Sequence, residues 1–141
     1  MPAVPARSLL LPALLLLLAG CGSGERSPES VVRAWAESVR AGNAETAAGL
    51  FAPGAEVIDG ERRIVLRTEA DALRYSLREA CAGEVVRIAD RGRTIEAEFD
   101  LDADARRRCD GAFRTRALFR VADGRITFLH RLPVETRRRV V

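Results

Sequence analysis

Apolar residues follow two different spacings along this chain, helical before residue 84 and alternating after it. In the first segment Val32, Trp35 and Val39 recur at intervals that place them on one face of a helix. Ser27 and Pro28 precede them as an N-cap and a first-turn proline. The pattern therefore predicts an amphipathic helix that begins at Ser27.

Two further helices are predicted before residue 84. Asn43 can cap a short helix that ends before Pro53. Thr68 is followed by Asp71 in a variant of the capping box, which predicts the start of a third helix. The residues predicted to face inward are Ala47, Leu50 and Phe51 in the second helix and Leu73, Leu77 and Ala80 in the third.

After residue 84 apolar and polar residues alternate, which is typical of strands with one buried face. Turn residues at Asp90–Gly92 and Asp123–Gly124 favour tight hairpins between antiparallel strands. A smaller hairpin around Gly60 is predicted from extended runs at 55–59 and 64–66. The residues predicted to face inward are Val86, Ile88, Ile95, Ala97, Phe99, Leu101, Phe113, Thr115, Ala117, Phe119, Val121, Ile126, Phe128, His130 and Leu132. Because this apolar face needs a cover, we expect an α+β fold with the helices packed on an antiparallel sheet.

The N-terminal segment has the form of a secretory signal. Residues 9–19 form an apolar run that follows Arg7 and is shorter than the ~20 residues that cross a bilayer. The run closes on Leu18-Ala19-Gly20-Cys21, which resembles the bacterial lipobox, whose cysteine is acylated and becomes the mature N-terminus. We therefore expect a lipoprotein signal peptide at 1–20 and a lipid on Cys21 that anchors the protein outside the cytoplasm, in the bacterial cell envelope. An ordinary signal peptide with an incidental cysteine is the alternative.

The charges of the chain are nearly balanced. Arginine and lysine together number 23 against 20 acidic residues, a formal net charge of +3, which argues against a dedicated nucleic-acid binder. Two arginine runs, 106–108 and 137–139, either attract an anionic membrane or are simply solvated. The predicted organisation is a flexible tether at 21–26, one domain at 27–134 and a basic tail at 135–141.

The cysteine and histidine content limits the chemistry. If Cys21 is acylated, Cys81 and Cys109 remain as an even pair, and a disulfide is the default interpretation in an oxidising compartment. Two free thiols are the alternative. His130 is the only histidine and no close cysteine pair is left, so we expect neither a metal site nor a cofactor.

Four short motifs lie in the predicted helices and the last hairpin. They are Val31-Val32-Arg33-Ala34-Trp35, Ala41-Gly42-Asn43-Ala44-Glu45, Leu50-Phe51-Ala52-Pro53-Gly54-Ala55 and Asp123-Gly124-Arg125-Ile126. Together they resemble the nuclear transport factor 2 (NTF2)-like superfamily, especially its bacterial SnoaL-like members, over about residues 27–133. The resemblance implies a cone in which helices and a curved sheet enclose an apolar cavity. Members include isomerases, hydrolases and domains that only bind or dimerise, so the fold leaves function open.

The same resemblance gives the enzyme hypothesis one matching residue. In the ketosteroid isomerase branch an aspartate base follows the second helix, and Asp59 stands at that position. Trp35 occupies the place of a tyrosine donor and Arg114 lies near that of an acid, so the donors for an oxyanion are not matched. His130, in phase with the inward residues, is a second candidate base. The alternatives are a turn role for Asp59 and a core or rim role for His130.

The function expected is a membrane-tethered, non-catalytic domain that binds a small apolar ligand or a protein partner, with a homodimer through the sheet as one such partner. The residues predicted to line a ligand pocket are Trp35, Phe51, Phe99, Phe119, Phe128 and His130. Aromatic residues at this spacing are also ordinary core. The alternative function is an isomerase or hydrolase of the SnoaL or ketosteroid isomerase type that uses Asp59 and His130.

Overall fold

The computed structural model describes residues 25–79, 83–101, 112–133 and 135–136. Within these ranges all three helices precede residue 84 and five of the seven strands begin at or after it, as the change in spacing predicts. In chain order the elements are α1 (Pro28–Arg40), α2 (Ala44–Gly49), β1 (Phe51–Asp59), β2 (Arg62–Leu66), α3 (Glu69–Arg78), β3 (Glu84–Asp90), β4 (Ile95–Asp100), β5 (Ala112–Ala122), β6 (Arg125–Arg131) and β7 (Glu135–Thr136).

The three predicted helix starts are confirmed. The Ser27 hydroxyl accepts a hydrogen bond from the Ser30 N–H at 3.2 Å, and the Asn43 side chain accepts one at the start of α2. Thr68 and Asp71 form a reciprocal capping box at the start of α3, with bonds of 3.0 and 3.1 Å. Each cap satisfies a backbone N–H that has no partner inside its helix, which is why short polar residues at these positions fix where a helix begins.

The buried face of α3 differs from the one predicted. Ala72, Tyr75 and Ser76 are buried, whereas Leu77 is 68% exposed. The helix turns Tyr75 towards Phe51, and the two rings meet edge to face at 5.7 Å between centroids. Leu77 lies two positions, or roughly 200°, further round the helix and so faces away from the protein. The inward placement of Leu77 is therefore wrong.

The sheet joins the strands in the order β2-β1-β6-β5-β4-β3, with β7 added beside β5. It is curved and does not close into a barrel. The neighbours pair antiparallel except β1 and β6, which run parallel, so the sheet is mixed. The prediction of an α+β fold with helices packed on a curved sheet is confirmed. The prediction that the sheet is antiparallel is wrong for β1 and β6, which no hairpin connects and which run parallel.

The core lies between the helices and one face of the sheet, which we call the inner face. Trp35 of α1 meets Phe119 and Phe99 edge-on, with ring centroids 5.4 and 6.3 Å apart. Val57 and Leu129 on the central strands are fully buried beside them. Burial of this apolar surface is the main stabilising contribution to such a two-layer fold.

One strand departs from the predicted alternation. On β3, Val86 is 48% exposed, while Val85 and Ile88 pack against the core. The pairing of β3 with β4 shifts between Val85 and Arg87, which marks a bulge. A bulge adds one residue to a strand and so reverses which side chains face inward beyond it. The predicted inward position of Val86 is wrong for this reason.

The C-terminal boundary also moves. Glu135 and Thr136 form β7 and pair with β5, so the segment predicted as a basic tail begins with a strand of the sheet. Residues 1–24, Cys81, Cys109 and both arginine runs lie outside the described residues, so the signal peptide, the acylation and the disulfide stay predictions. Among the helices in the described ranges, none has the length and apolarity that crossing a bilayer requires.

Candidate functional site

His130 and Phe128 lie on the outer face of the sheet, the face turned away from the helices. Ile126 and Leu129 are the fully buried residues of β6, and the pairing with β5 shifts beside Arg120. The Arg120 guanidinium lies 4.2 Å from the centre of the Phe128 ring, and the His130 ring is 6.3 Å from that of Phe128. The predicted inward placement of Phe128 and His130 is therefore wrong, because the bulge changes the phase of the strand. A homodimer through this face stays a prediction.

The other four predicted pocket residues belong to the core. Trp35, Phe51, Phe99 and Phe119 are all at most 3% exposed and lie in one cluster of buried residues. Trp35, Phe99 and Phe119 contact one another and Phe51 contacts Tyr75, in the edge-on and tilted arrangements that aromatic rings favour in protein interiors. A role for these rings in ligand binding stays a prediction.

Asp59 lines a cavity of about 220 Å³ between α3 and the hairpin of β1 and β2. Charged and apolar side chains share its wall. The lining residues are Asp59, Arg62, Ile64, Val65, Leu66, Asp71, Arg74, Tyr75, Arg78 and Glu79. Among the described residues, two further cavities of similar size lie under α1 and beside Pro53, but neither contains Asp59 or Tyr75.

The hairpin fixes the position of Asp59. Asp59 is the last residue of β1 and pairs with Arg62, the first residue of β2, across a turn in which Gly60 has φ +60°. Two residues earlier on the strand, Val57 faces the core, so alternation directs Asp59 to the inner face as well. Its carboxylate lies 3.5 Å from a guanidinium nitrogen of Arg62, and its side chain is 36% exposed. Asp59 is therefore both a turn residue and an ionisable group at the edge of the cavity.

Tyr75 supplies the cavity with a buried hydroxyl. The residue is 6% exposed, and Arg131 is placed to donate a hydrogen bond to its hydroxyl oxygen. A guanidinium cannot accept, so the hydroxyl hydrogen has no acceptor in the described part of the chain. Burial raises the pKa of this phenol above its ordinary value, although the positive charge of Arg131 and its hydrogen bond to the phenol act in the opposite direction. The phenol is therefore neutral at physiological pH and can donate a hydrogen bond. Sequence reasoning assigned no role to Tyr75, yet Ala72, Tyr75 and Glu79 share a helical face that could have revealed it.

An ion pair closes the back of the cavity. The carboxylate of Glu79, at the C-terminal end of α3, contacts the guanidinium of Arg131, the last residue of β6. Arg131 lies beside Asp59 in the parallel register of β1 and β6, which brings it to the inner face. The side chain of Glu79 is 8% exposed and that of Arg131 is 26% exposed, so the pair is largely withdrawn from water. It ties α3 to the central strands next to Tyr75.

Solved structures decide the fold. A match to an NTF-2-like protein from Burkholderia xenovorans covers 80% of this chain and 86% of that one, with a TM-score of 0.58 and 19% identity. A match to a proposed polyketide cyclase from Sinorhizobium meliloti covers 72% and 93%, with a TM-score of 0.59 and 19% identity. A protein with a ketosteroid isomerase-like fold from Catenulispora acidiphila matches over 77% and 87%, with a TM-score of 0.53 and 18% identity. The fold is NTF2-like.

Comparison by sequence finds no match for this domain with the NTF2-like fold. No protein-family model matches the chain, and no curated protein matches it. Structural likeness at 18–19% identity establishes a shared fold and carries no activity with it. The chemistry of the NTF2-like domain therefore has to be argued from its own residues.

The acidic residues of the α3 wall are already engaged. Asp71 accepts the Thr68 N–H at 3.0 Å and contacts the Arg74 guanidinium. The hydrogen bond from Arg74 holds the pKa of the Asp71 carboxyl below its ordinary value, and the bonds from Thr68 act in the same direction. In the described part of this NTF2-like domain, no group of three or more histidine, cysteine or acidic side chains is arranged to hold a metal ion.

Proposed function

We propose that this NTF2-like domain binds a small molecule with polar groups in the cavity between α3 and the β1–β2 hairpin. The observation that carries the proposal is the Tyr75 hydroxyl, which is buried in the wall and whose hydrogen has no acceptor in the described residues. Leaving such a group unpaired costs about 1–3 kcal/mol. A ligand that accepts its hydrogen bond would recover this free energy on binding.

The size and lining of the cavity restrict the ligand. Pockets for drug-sized ligands have volumes of roughly 300–1,000 Å³, and this cavity, at about 220 Å³, is smaller. Ile64 and Leu66 offer an apolar wall on the hairpin side, while α3 presents Tyr75 and charged groups. The proposed ligand is thus small and carries at least one polar group beside an apolar part.

Binding can be tested at the proposed residue. Tyr75 is the only tyrosine, so ring-labelled tyrosine gives one set of NMR signals from the cavity wall. We expect members of a panel of small polar molecules, both charged and neutral, to shift these signals saturably. Calorimetry should then show about tenfold weaker binding to Tyr75→Phe and unchanged binding to Phe128→Leu on the outer face. Hits that bind Tyr75→Phe as tightly as the wild type would contradict the proposal.

An isomerase-type activity is the second candidate, and one observation favours it. Asp59 and Tyr75 line the same cavity, so a carboxylate able to take a proton next to a carbonyl coexists with a neutral phenol able to donate to the resulting oxyanion. Tyr75 thus offers the donor that Trp35 does not supply, from a different helix. His130 takes no part in this scheme, because it lies on the outer face.

The catalytic alternative has its own test. Ketone isomerisation or α-proton exchange would be measured with small ketones, for the wild type, Asp59→Asn and His130→Gln. A rate above buffer that is lost in Asp59→Asn and kept in His130→Gln would establish the activity. A rate no higher than buffer for every substrate leaves binding as the function proposed.

Membrane attachment through Cys21 completes the proposed function. The lipobox at the end of a short apolar run supports it, and two or more acyl chains would hold the domain stably on a membrane. Labelled palmitate should enter the wild-type protein expressed in a bacterium and be absent from Cys21→Ser. Equal labelling of the two proteins would rule out acylation at this cysteine.

A further inference from the structure

Donors and acceptors around the cavity are unevenly used. Of the carboxylates on the α3 side, Asp71 is held by the Thr68 N–H and by Arg74, and Glu79 is held by Arg131. Both acids therefore have their charge compensated by the protein itself. Glu79 Oε2 makes no hydrogen bond beyond its ion-pair contact with Arg131, so the negative charge of this wall is compensated while one acceptor atom is not hydrogen-bonded.

Donors on the same wall remain available. The hydroxyl hydrogen of Tyr75 and the Nε–H of Arg131 are buried and have no acceptor in the described residues. Arg78 lines the cavity from the last turn of α3 and makes no ion pair within the described ranges. Arg62, on the opposite wall, has one long contact of 3.5 Å with Asp59 and is 75% exposed. Arginine and protonated tyrosine can both donate hydrogen bonds to a ligand, and a guanidinium cannot accept one.

From this excess of donors we propose that the ligand is an anion, a small molecule whose carboxylate or phosphate group is bound by Tyr75 and Arg78. The proposal rests on the cavity being a binding site and names the class of molecule that it takes. Charge-assisted hydrogen bonds from a guanidinium and a phenol to an oxyanion are among the stronger polar interactions in proteins. Arg131 lies behind the lining, where its charge is balanced by Glu79 and its Nε–H has no acceptor in the described residues.

Asp59 determines which part of the cavity the anion occupies. Its carboxylate is only partly compensated by Arg62 and repels a second negative charge nearby. The anionic group therefore lies against α3, and the remainder of the ligand extends towards the hairpin and Ile64. Replacement of Asp59 by asparagine removes the repulsion, so it should tighten the binding of an anion.

The experiment compares charged probes with neutral ones of the same shape. Acetate, benzoate and inorganic phosphate are titrated into the full chain with ring-labelled Tyr75, alongside acetamide and benzamide. We expect saturable shifts with at least one anion and about tenfold weaker or no binding of the matched amide. Arg78→Gln should weaken anion binding about tenfold, while Arg87→Gln, an exposed arginine on β3, should leave it unchanged. Asp59→Asn should strengthen it severalfold.

The possible outcomes separate the claim that the ligand is an anion from the claim that the cavity is a binding site. Amides that bind as tightly as the acids, with sensitivity to Tyr75→Phe, would overturn the anionic class and keep the cavity as a site. Anions that bind equally to Arg78→Gln and to the wild type would overturn the assignment of Arg78 as a residue that binds the anion. If none of the three anions shifts the Tyr75 signals, the anionic assignment is also overturned. The wider panel of small polar molecules then tests whether the cavity binds any ligand. A preference for phosphate over both carboxylates would identify the phosphate-bearing branch of the class.

Discussion

Glu79 at the end of α3 and Arg131 at the end of β6 form an ion pair that joins the third helix to the centre of the sheet. The pair lies beside Tyr75, so it shapes the wall on which the proposed ligand rests. Arg131 is also one of the charges that act on the phenol, since it opposes the rise in the pKa of Tyr75. Stability and binding are therefore coupled at this end of the cavity.

The first prediction concerns this ion pair. Glu79→Gln leaves the largely buried Arg131 guanidinium without its counter-charge, and we expect a loss of about 2–3 kcal/mol, below the usual range because Arg131 is partly exposed. The free energy of unfolding would be measured by urea denaturation. As a control, Arg63→Gln breaks the ion pair with Glu56, whose arginine is 70% exposed, and should cost less than about 1 kcal/mol. Equal losses in the two variants would contradict the description of the Glu79 pair as withdrawn from water.

Tyr75→Phe is expected to leave the domain as stable as the wild type or to raise its free energy of unfolding by about 1 kcal/mol. The reason is that the change removes a buried hydroxyl whose hydrogen has no acceptor in the described residues and keeps the ring against Phe51. The same variant should bind the ligand less well, so stability and function move in opposite directions. Urea denaturation checks the stability. A loss of more than about 1 kcal/mol would show that the hydroxyl hydrogen is bonded within the protein.

Substitutions of Phe119 on the inner face and Phe128 on the outer face compare the two faces of the sheet. Phe119→Ala should cost about 3–5 kcal/mol, because its ring is fully buried against Trp35. Phe128→Ala should cost about 1 kcal/mol, since it loses a contact with the Arg120 guanidinium on the outer face. Thermal unfolding of both variants measures the difference. Similar losses would contradict the placement of Phe128 outside the core.

Local signals explain how much of the fold could be predicted. The caps at Ser27, Asn43 and Thr68 act within three residues of the helix that they begin, so the sequence itself contains both partners of each hydrogen bond. The alternation of apolar and polar residues likewise predicts the buried face of β4 and of most of β5. The parallel pairing of β1 with β6 was not predicted, because it joins segments far apart in the chain and depends on the whole sheet.

Bulges and polar burial explain what was missed. Single register shifts near Val85 and Arg120 reverse the facing of Val86, Phe128 and His130, and nothing in the local sequence marks them. Asp59 was predicted as a site residue and does line the cavity. Tyr75, in the wall of the same cavity, was not predicted because the apolar Leu77 suggested a different inner face for α3. A pattern of apolar positions gives little weight to a residue with a phenol or a carboxylate, such as Tyr75 or Glu79.

The most direct test of the proposed site is the titration of Tyr75 itself. The ring carbon that carries the hydroxyl, observed by NMR in the labelled protein, reports the ionisation of the only tyrosine. We predict a pKa above the ordinary value of about 10, because burial disfavours the phenolate. The raised value also implies that Tyr75 adds stability below pH ~10 that is lost as the pH rises through the pKa of the folded protein. The urea-unfolded chain should titrate near pH ~10 as an internal reference. A folded-state pKa at or below that of the unfolded chain would show a solvated or strongly paired hydroxyl, and would contradict the claim that Tyr75 holds an unused donor for a ligand.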